Sequence, residues 1–348
     1  MDSGLMPRDN ATSMDVARLA GVSQSAVSRV FTPGASASPK TSEKVRKAAE
    51  ELGYRPNSLA RAMVSGRSRI IGLVVAYLNN QFYPEALEKL SKRLQERGYH
   101  VLVFMTAKTQ GDVSDVIEEI LDYQVDGIIA ASVALSSELS DRCRSEQVPL
   151  VLFNRSQDDP DLACVTSDNY AGGRRVAEFL VAGGHRRIAY IAGWEGASTQ
   201  RDREAGFIDG LAASGQQLFA RGVGNFEAEA AAQAAREMFS DGEIPDALFV
   251  ANDHMAIAVM DVLRAELGLG IPEDVSIVSY DDVPAAGWQA YDLTTIQQPA
   301  DLMVNATVDI LLAQIEGYEG IENRIQINAP LVIRGSARVP EDWDNERL

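Results

Sequence analysis

Between residues 70 and 315, short continuous apolar runs alternate with longer stretches in which apolar residues recur at helical spacing. The apolar runs cover residues 70–75, 101–105, 127–131, 149–153, 187–192, 247–250 and 275–280. The helical stretches cover residues 84–97, 113–123, 137–146, 170–182, 201–213, 227–239, 254–267 and 300–315. Buried strands that alternate with amphipathic helices are typical of parallel sheets covered on both faces. The pattern therefore predicts an α/β body of two parallel-sheet subdomains with a cleft between them.

Polar and aromatic side chains follow these apolar runs, where each predicted strand ends. They are Asn79, Asn80, Gln81, Phe82, Tyr83, Asn154, Arg155, Asp168, Asn169, Thr199, Gln200, Arg201, Asp202, Arg203, Asn252, Asp253, Asp281 and Asp282. Ligands of open α/β sheets bind outside the carboxyl ends of the strands. Aromatic faces suit C–H surfaces, while carboxylates, amides and guanidinium groups suit hydroxyls. The set predicts a cleft for a hydroxyl-rich small molecule.

The first sixty residues have a different pattern, which predicts three short helices. A capping-box-like Thr12-Ser13-Met14-Asp15 opens the first helix, and Gly21 closes it because glycine tolerates positive φ. Ser23 caps a second helix over residues 24–31. The predicted inward apolar residues of the three helices are Val16, Leu19, Ala20, Val27, Val30, Phe31, Val45, Ala48, Ala49 and Leu52.

Ser38 and Pro39 open the third helix as N-cap and first helical residue, and Gly53 ends it. Two helices of about two turns, joined by a glycine-containing turn and braced by a third, form the helix-turn-helix arrangement. The second helix of such a motif enters the DNA major groove. The pattern predicts an all-α DNA-binding head.

The outward face of the second helix carries side chains that suit base edges. Gln24, Ser25 and Arg29 lie opposite the predicted apolar side. Glutamine matches adenine N6/N7 and arginine matches guanine O6/N7, and each match is worth roughly 1–3 kcal/mol of discrimination. The predicted phosphate contacts, which orient the protein without specifying sequence, are Ser23, Ser28, Thr41 and Lys44.

The charge of the chain is divided in the same way as its patterns. The net charge is −18, yet residues 1–69 carry +5 and the remaining 279 residues carry −23. A basic patch can also be the solvated face of a helix, so charge alone does not decide the function. Beside the helix pattern, this asymmetry favours a small nucleic-acid module attached to an acidic body.

The head also resembles a known family. Asp15-Val16-Ala17-Arg18-Leu19-Ala20-Gly21-Val22-Ser23, Val27-Ser28-Arg29-Val30 and the run from Ala49 to Arg61 (AEELGYRPNSLAR) are similar to the head of the lactose/galactose-repressor (LacI/GalR) family. The agreement runs without an evident gap from about residue 12 to residue 69. The resemblance implies a transcription regulator, with a repressor the favoured form.

The resemblance also implies a hinge helix at residues 57–64. A lone helix of this length is shorter than the 12–15 residues that are stable in water, so it is expected to order when two copies pack over the minor groove. Met63 stands where the family usually has a leucine wedge, and its alternative role is a core methionine. Ala26 stands where the family often has threonine. The DNA contacts predicted in all are Thr12, Ser23, Gln24, Ser25, Ala26, Ser28, Arg29, Thr41, Asn57, Ala60 and Met63.

The body resembles the family's effector domain, which is akin to periplasmic sugar-binding proteins. The matching segments are 125–129, 184–189, 251–253, 272–278, 280–282 and 293–299. Carried over by position, the implied effector ligands are Arg201, Asn252 and Asp281, followed by Phe82, Tyr83, Asn154 and Gln298, with Arg203 competing with Arg201. The implied effector is a sugar or sugar derivative.

Several of these roles have structural alternatives. Asp281 can cap a turn, and Asp253 is expected to hold its loop or cap a helix rather than touch effector. Asp168 and Asn169 are undecided between the two kinds of role. Trp194 and Trp288 can be cleft walls or packing residues, and packing is favoured for Trp194.

The sequence gives little support to an enzymatic function. His100, His185 and His254 stand alone, so no metal site is predicted, and no cofactor motif is present in the sequence. Asp281 and Asp282 could serve a glycosidase, and the body alone could serve a periplasmic transport receptor. Neither alternative accounts for residues 1–69, and the first residues do not form a secretory signal. The sequence therefore predicts a protein that is not an enzyme.

The predicted organisation is a disordered tail (1–11), a helix-turn-helix domain (12–56), a hinge helix and linker (57–69) and an effector-binding and dimerisation domain (70–348). A homodimer would place two heads on a palindromic double-stranded operator, with effector binding expected to release it, although co-repression uses the same parts. Residues 335–348 lack the leucine heptads of a tetramerising coiled coil. Two cysteines outside any CxxC pair, and no apolar stretch near 20 residues, predict a cytoplasmic protein without membrane contact.

Overall fold

The structure, a computed structural model, describes residues 11–32, 35–55, 67–76, 78–106, 114–133, 137–240, 242–318, 320–341 and 343. The contacts of the chain divide it into two units, Met1–Ser68 and Arg69–Leu348. Residues 1–10 of the predicted tail lie outside the described residues. So does the predicted hinge helix, with Asn57, Ala60 and Met63.

The first unit contains α1 (Ser13–Ala20), α2 (Gln24–Phe31) and α3 (Pro39–Glu51). Their predicted ends are confirmed. Thr12 and Asp15 form the capping box of α1, which ends at Gly21 with a φ of 64°. The Ser23 and Ser38 side chains cap α2 and α3 by accepting backbone N–H groups. Each helix thus begins where its sequence supplies an acceptor for otherwise unpaired N–H groups.

The core between the three helices is made of small and β-branched residues, which are Val16, Ala17, Ala20, Val27, Val45, Ala48 and Ala49. The prediction that Leu19 and Leu52 face inward is wrong, since they are 47% and 37% exposed. The buried face of α1 is centred on Ala20 and includes Ala17, which turns Leu19 away at 100° per residue. Leu52 lies beyond the last residue of α3, at its C-cap.

In the second unit, strands and helices alternate along the chain. They are β1 (Ile70–Val75), α4 (Phe82–Glu96), β2 (His100–Met105), α5 (Ser114–Asp122), β3 (Gly127–Ala131), α6 (Ser137–Ser145), β4 (Leu150–Phe153), β5 (Ala163–Ser167), α7 (Asn169–Ala182), β6 (Ile188–Ala192), α8 (Ser198–Ala213), β7 (Ala220–Val223), α9 (Ala228–Met238), β8 (Ala247–Val250), α10 (Asp253–Asp261), β9 (Ser276–Asp281), β10 (Thr294–Gln297), α11 (Ala300–Glu316), β11 (Arg324–Ile327) and β12 (Leu331–Val332). A π-helical turn at Val262–Glu266 continues α10, and a 3-10 turn lies at Pro284–Gly287.

The strands form two six-stranded sheets, in the orders β11-β5-β4-β3-β1-β2 and β12-β10-β9-β8-β6-β7. Every pair is parallel except β10 with β12. The chain passes from one sheet to the other three times, after β5, after β10 and after β11. The predicted α/β fold with two parallel-sheet subdomains is confirmed. None of the helices among the described residues is both long and apolar enough to cross a membrane.

All seven predicted apolar runs are strands, each within one residue of its predicted ends. The strands that the pattern does not predict are β5, β7, β10, β11 and β12. They are short, and polar or half-exposed residues interrupt them, as in the Arg-Gly-Val end of β7 and the Thr-Thr-Ile-Gln of β10. β7, β11 and β12 lie at sheet edges, whereas β5 and β10 lie inside the sheets. Short length and polar residues remove the continuous apolar signal on which the prediction depends.

Helices α7 and α8 pack at backbone distance because glycines face the contact. A Cβ atom at Gly206 would overlap the carbonyl oxygen of Tyr170, and one at Gly173 would overlap the carbonyl oxygen of Arg203. Because glycine has a hydrogen atom where other residues have Cβ, Gly173 and Gly206 allow α8 to approach α7 this closely.

Asp253, at the start of α10, ties the carboxyl edge of the second sheet together. Its carboxylate accepts hydrogen bonds from the Ser279 hydroxyl of β9, the Thr295 hydroxyl of β10 (2.7 Å) and the Val283 N–H (2.9 Å). The side chain is fully buried, and this burial, followed by the nearby charge of Asp281, raises the pKa of Asp253 to about 7. Asp253 thus has a structural role, as expected, but it joins β9, β10 and the Val283 backbone rather than its own loop.

We expect Asp253→Asn to flatten the pH dependence of stability. The folded pKa of Asp253 lies above its ordinary value of 3.8, so its stabilising contribution is complete below about pH 4 and is lost as the pH rises through 7. Thermal unfolding between pH 5 and pH 8 should show a smaller decrease in Tm for Asp253→Asn than for the wild type. Asp209→Asn, an exposed carboxylate on α8, is the matched control. Equal slopes for Asp253→Asn and the wild type would contradict the assignment.

We expect Gly206→Ala to lower the free energy of unfolding by about 1–3 kcal/mol because of overlap with α7. The direction is diagnostic, since alanine normally stabilises a helix interior relative to glycine. Urea unfolding followed by circular dichroism measures the change, and Ala205→Ser, exposed on the same helix, should change stability little. A Gly206→Ala protein as stable as the wild type would mean that the helices have room to separate.

Candidate ligand cleft and nucleic-acid interface

Arg203 of α8 lies at the centre of a buried polar cluster at the carboxyl edge of the second sheet, and its side chain is 2% exposed. Its Nε donates to Asn169 Oδ1 (2.8 Å) and its Nη1 donates to the Ala251 carbonyl oxygen (2.5 Å). Its Nη2 lies 3.5 Å from Asp281 Oδ1. The guanidinium carbon lies 3.6 Å from the centroid of the Tyr280 ring. These contacts hold the guanidinium in one orientation, as a planar cation with a fixed fork of donors requires.

Asp281 ends β9 and receives donors from both subdomains. Its Oδ1 accepts from Gln298 Nε2 (2.6 Å), and its Oδ2 accepts from Asn80 Nδ2 (2.9 Å). Asn80 follows β1 of the first sheet, so this hydrogen bond joins the two subdomains. Burial raises the pKa of Asp281, and the charge of Arg203 opposes the increase. The side chain is engaged in this cluster rather than in capping a turn.

A second group of predicted ligands lies beside the first sheet and is buried; it consists of Phe82, Tyr83 and Asn154, of which Phe82 lines a pocket. The Phe82 ring stacks on Phe153, with centroids 6.0 Å apart and planes 13° apart. Asn154 Nδ2 donates to the Tyr83 hydroxyl oxygen (3.2 Å). Asn154 Oδ1 is buried and has no hydrogen-bond partner among the described residues. A buried amide atom of this kind requires a partner of complementary polarity.

A pocket of about 270 Å³ adjoins this cluster. Its lining residues are Phe82, Glu85, Lys89, Asp281, Asp282, Val283, Gln297, Gln298, Pro299, Ala300, Asp301 and Leu302. Its volume is close to the lower end of the roughly 300–1,000 Å³ of small-molecule sites. Three of the predicted effector ligands, Phe82, Asp281 and Gln298, therefore share one pocket suited to a small ligand.

The structure separates the two competing arginines. The predicted start of α8 at residue 201 is wrong, because the helix begins at Ser198. Arg201 and Arg203 both lie within α8 and point about 200° apart around its axis. Arg203 is buried against Asp281, whereas Arg201 is exposed and lines a second pocket of about 410 Å³. The structure thus favours Arg203 over Arg201 in the Asp281 cluster.

The second pocket lies at the other end of the cleft, where β4 and β6 end. Its polar lining residues are Ser140, Arg155, Ser156, Gln157, Asp158, Asp159, Ser198 and Arg201. The Arg155 guanidinium carbon lies 5.4 Å from the centroid of the Trp194 ring, which packs partly against the core. Trp194 thus combines packing with a cation–π contact, while Trp288 is 55% exposed.

Asn252 has a structural task in the described chain. Its Oδ1 accepts the Met255 N–H at 3.0 Å and caps α10. The residue before it, Ala251, supplies the carbonyl oxygen that binds Arg203. Asn252 therefore borders the buried cluster without a direct contact to Asp281 among the contacts described.

Asn80 and Asn169 are the cluster members that the predicted ligand set leaves out. Asn80 follows the predicted strand β1, whereas Asn169 follows β5, which the apolar pattern does not predict; both belong to the polar set noted in the sequence. Asn80 binds Asp281 directly, and Asn169 orients Arg203. Asp168 caps α7, because its side chain accepts the Ala171 N–H at 2.9 Å.

In the first unit, α2 presents the predicted base-reading face to solvent. Gln24, Ser25 and Arg29 are exposed, as are Ser23 and Ser28. Gln24 Nε2 donates to Ser13 Oγ (2.9 Å) and Arg29 Nε donates to the Ser25 carbonyl oxygen (3.3 Å). Each bond uses one N–H group, so the Gln24 amide and the Arg29 guanidinium have further N–H groups for other partners.

The remaining predicted contacts lie at helix ends. Thr12 is exposed at the start of α1, and Thr41 bonds to the capping Ser38 hydroxyl (2.8 Å) at the start of α3. Ala26 is partly buried in the first turn of α2. The first turns of α2 and α3 contain no acidic residue, so their N-terminal dipoles favour anions such as phosphate.

Comparisons with known proteins match both units. Residues 12–57 match the family model described as bacterial regulatory proteins, lacI family, and residues 177–337 match a periplasmic binding protein-like domain. The ribose operon repressor of Escherichia coli (strain K12) is 31% identical over 333 residues, which are 94% of this chain and 100% of that protein. The HTH-type transcriptional repressor PurR of Vibrio vulnificus (strain CMCP6) is 30% identical over 331 residues, covering 94% and 99%.

Solved structures agree with these relatives. The lac repressor dimer bound to operator and the anti-inducer ONPF has a TM-score of 0.85 and 30% identity, covering 94% of this chain and 99% of that chain. The transcriptional regulator CelR–cellobiose complex has a TM-score of 0.70 and 31% identity, covering 94% and 100%. The resemblance found in the sequence is confirmed over nearly the whole chain. The protein belongs to the lacI family of bacterial regulatory proteins.

Proposed function

We propose that this DNA-binding regulator, which is not an enzyme, is a cytoplasmic repressor that reads a palindromic operator with α2 and releases it when a sugar occupies the cleft. The observation that carries the proposal is the buried cluster of Arg203, Asp281, Gln298 and Asn80 in a chain that also has a helix-turn-helix head. Fixed donors and acceptors at a cleft are what a polyhydroxylated effector requires.

The DNA half of the proposal rests on the exposed face of α2. Gln24 and Arg29 have the donors and acceptors that suit adenine and guanine edges in the major groove. Ser23 and Thr41 lie at the N-terminal ends of α2 and α3, whose first turns carry no acidic side chain, and Ser28 is exposed further along α2; this supports phosphate contacts by all three. The lac repressor neighbour is a dimer on its operator, which supports a homodimer here. Two symmetric heads match two half-sites of a palindrome.

The effector half rests on the arrangement of the cleft. One sugar hydroxyl can donate to Asp281 and an adjacent one can accept from Gln298, since both side chains line the pocket. The Phe82 ring, held by its stacking on Phe153, suits the C–H face of a sugar ring. The relatives support this class, since one is named a ribose operon repressor and one neighbour is a cellobiose complex.

Control of DNA binding would follow from contacts that cross the cleft. The Asn80–Asp281 bond, the Ser156 N–H to Ser198 Oγ bond (2.9 Å) and the Ala285 N–H to Gln81 Oε1 bond (3.1 Å) all join the two subdomains. A ligand that inserts here changes how the subdomains are held together. Couplings between two binding sites are typically worth about 1–3 kcal/mol and are reciprocal.

Arg29→Ala tests the DNA assignment. Operator sequences are first selected from a random duplex library with the full-length protein. We expect Arg29→Ala to weaken binding to the selected sequence by about 10–100-fold and to relax preference at one position per half-site, because one bidentate base contact is lost. Arg18→Ala on α1, whose side chain is 79% exposed, is the matched control. Unaltered affinity and preference in Arg29→Ala would show that Arg29 does not contact a base.

Gln298→Ala and Arg201→Ala test the cleft assignment. A thermal-shift screen of monosaccharides with the full-length protein, followed by operator release, first identifies a binding sugar. Gln298→Ala removes a direct partner of Asp281 and should weaken that sugar at least about tenfold, since a hydrogen bond to a charged group is lost. Arg201→Ala should leave its affinity unchanged. The reverse pattern would move the effector to the pocket at Arg201, and operator retention instead of release would identify co-repression.

A further inference from the structure

The cations next to the effector pocket already face carboxylates. Lys89 Nζ lies 2.9 Å from Glu85 Oε1 and 2.8 Å from Asp301 Oδ2, so one ammonium is shared between two acids. Asp282, also in the lining, lies 2.6 Å from Arg334 Nη2. The described lining of this pocket contains four carboxylates and one lysine. An additional anion would therefore enter a region whose positive charge is already neutralised.

The buried guanidinium behind the pocket is equally committed. Each nitrogen of Arg203 faces an acceptor, on Asn169, Ala251 or Asp281, and its flat face covers the Tyr280 ring. A phosphate could use this cation only by separating it from a buried carboxylate. Asp253, completely buried, adds a second acidic group near the first. Like charges in a buried site strongly disfavour one another.

The pocket also offers an acceptor that needs hydrogen-bond donors. Asp281 lines the pocket and, when ionised, only accepts hydrogen bonds. A hydroxyl group can donate to its carboxylate, and it can also accept from the neighbouring Gln298 amide. The oxygens of a phosphate dianion accept hydrogen bonds but donate none. The hydrogen-bonding character of the site thus agrees with its charge.

The second pocket, which Arg155 and Arg201 line, does not offer a phosphate a net positive charge either. Arg155 and Arg201 line it, but Asp158 and Asp159 line it as well. The Arg155 guanidinium bonds to Ser132 Oγ (3.2 Å) and lies over the Trp194 ring. A phosphate placed there would meet as many carboxylates as guanidinium groups.

Building on the proposed function, we propose that the effector cleft takes only uncharged sugars and rejects their phosphate esters. The regulator therefore responds to a sugar before a phosphoryl-transfer reaction has modified it. A kinase-type reaction that converts the effector to its ester would remove it as a signal.

Matched pairs of probes test this inference with the full-length protein. The panel contains D-ribose, D-glucose, D-fructose and D-galactose, each beside its own monophosphate ester, in calorimetry and in operator-release assays at constant ionic strength. We expect a sugar of the panel to bind and its ester to bind about 100-fold more weakly or not at all. An ester that binds as tightly as its sugar overturns the inference and leaves the sugar-type effector standing. A panel without any binding or release overturns the sugar effector itself, and this inference with it.

The double variant Glu85→Gln/Asp301→Asn tests the electrostatic cause. It leaves Asp281, Arg203 and Gln298 untouched and releases Lys89 from both acids. The ratio of sugar affinity to ester affinity, with both measured in the same variant, should shrink about tenfold or more, whatever the change in the sugar affinity itself. Glu96→Gln, on the same helix α4, should leave this ratio unchanged. An unchanged ratio in the double variant, or ester binding that disappears in Arg155→Met, contradicts the inference.

Discussion

The buried ion pair between Arg203 and Asp281 is the interaction on which the body of this regulator depends. Burying two charges is unfavourable unless hydrogen bonds satisfy their remaining donors and acceptors. Asn169 and Ala251 do this for the guanidinium, and Asn80 and Gln298 do it for the carboxylate. Loss of one partner from such a pair typically destabilises a protein by about 3–5 kcal/mol. The close α7–α8 contact and the hydrogen bonds of Asp253 keep both partners in place, so the atoms proposed to recognise the effector also stabilise the body.

Much of this arrangement can be predicted from the sequence because it depends on local physical signals. The ends of the three head helices follow from single capping residues, such as Thr12, Ser23 and Ser38. The seven apolar runs mark the central strands because strands buried on both faces leave no room for polar residues. Asp281 could be named in advance because it follows the apolar run 275–280, at the edge where ligands of such sheets bind. Gln298 is named only through the family resemblance, since the apolar pattern does not predict the strand before it, β10. Their effector contacts and the DNA contacts of α2 remain predictions.

Other features depend on geometry that a linear pattern does not contain. The choice between Arg201 and Arg203 depends on which face of α8 packs towards Asp281, and this packing joins residues about 80 positions apart. The outward position of Leu19 depends on which small residues of α1 meet α3. The partnership of Asn80 with Asp281 joins residues about 200 positions apart, and only the packing of two sheets brings them together.

The three passages of the chain between the sheets have a mechanical consequence. Three separate connections, following β5, β10 and β11, must all bend when one subdomain moves relative to the other. Sliding or twisting would stretch at least one of them, whereas rotation about a line through all three changes only a few backbone torsions. Relative motion of the two subdomains is therefore confined mainly to rotation about these connections. A molecule that holds the subdomains together or apart on the side away from the connections acts along this rotation.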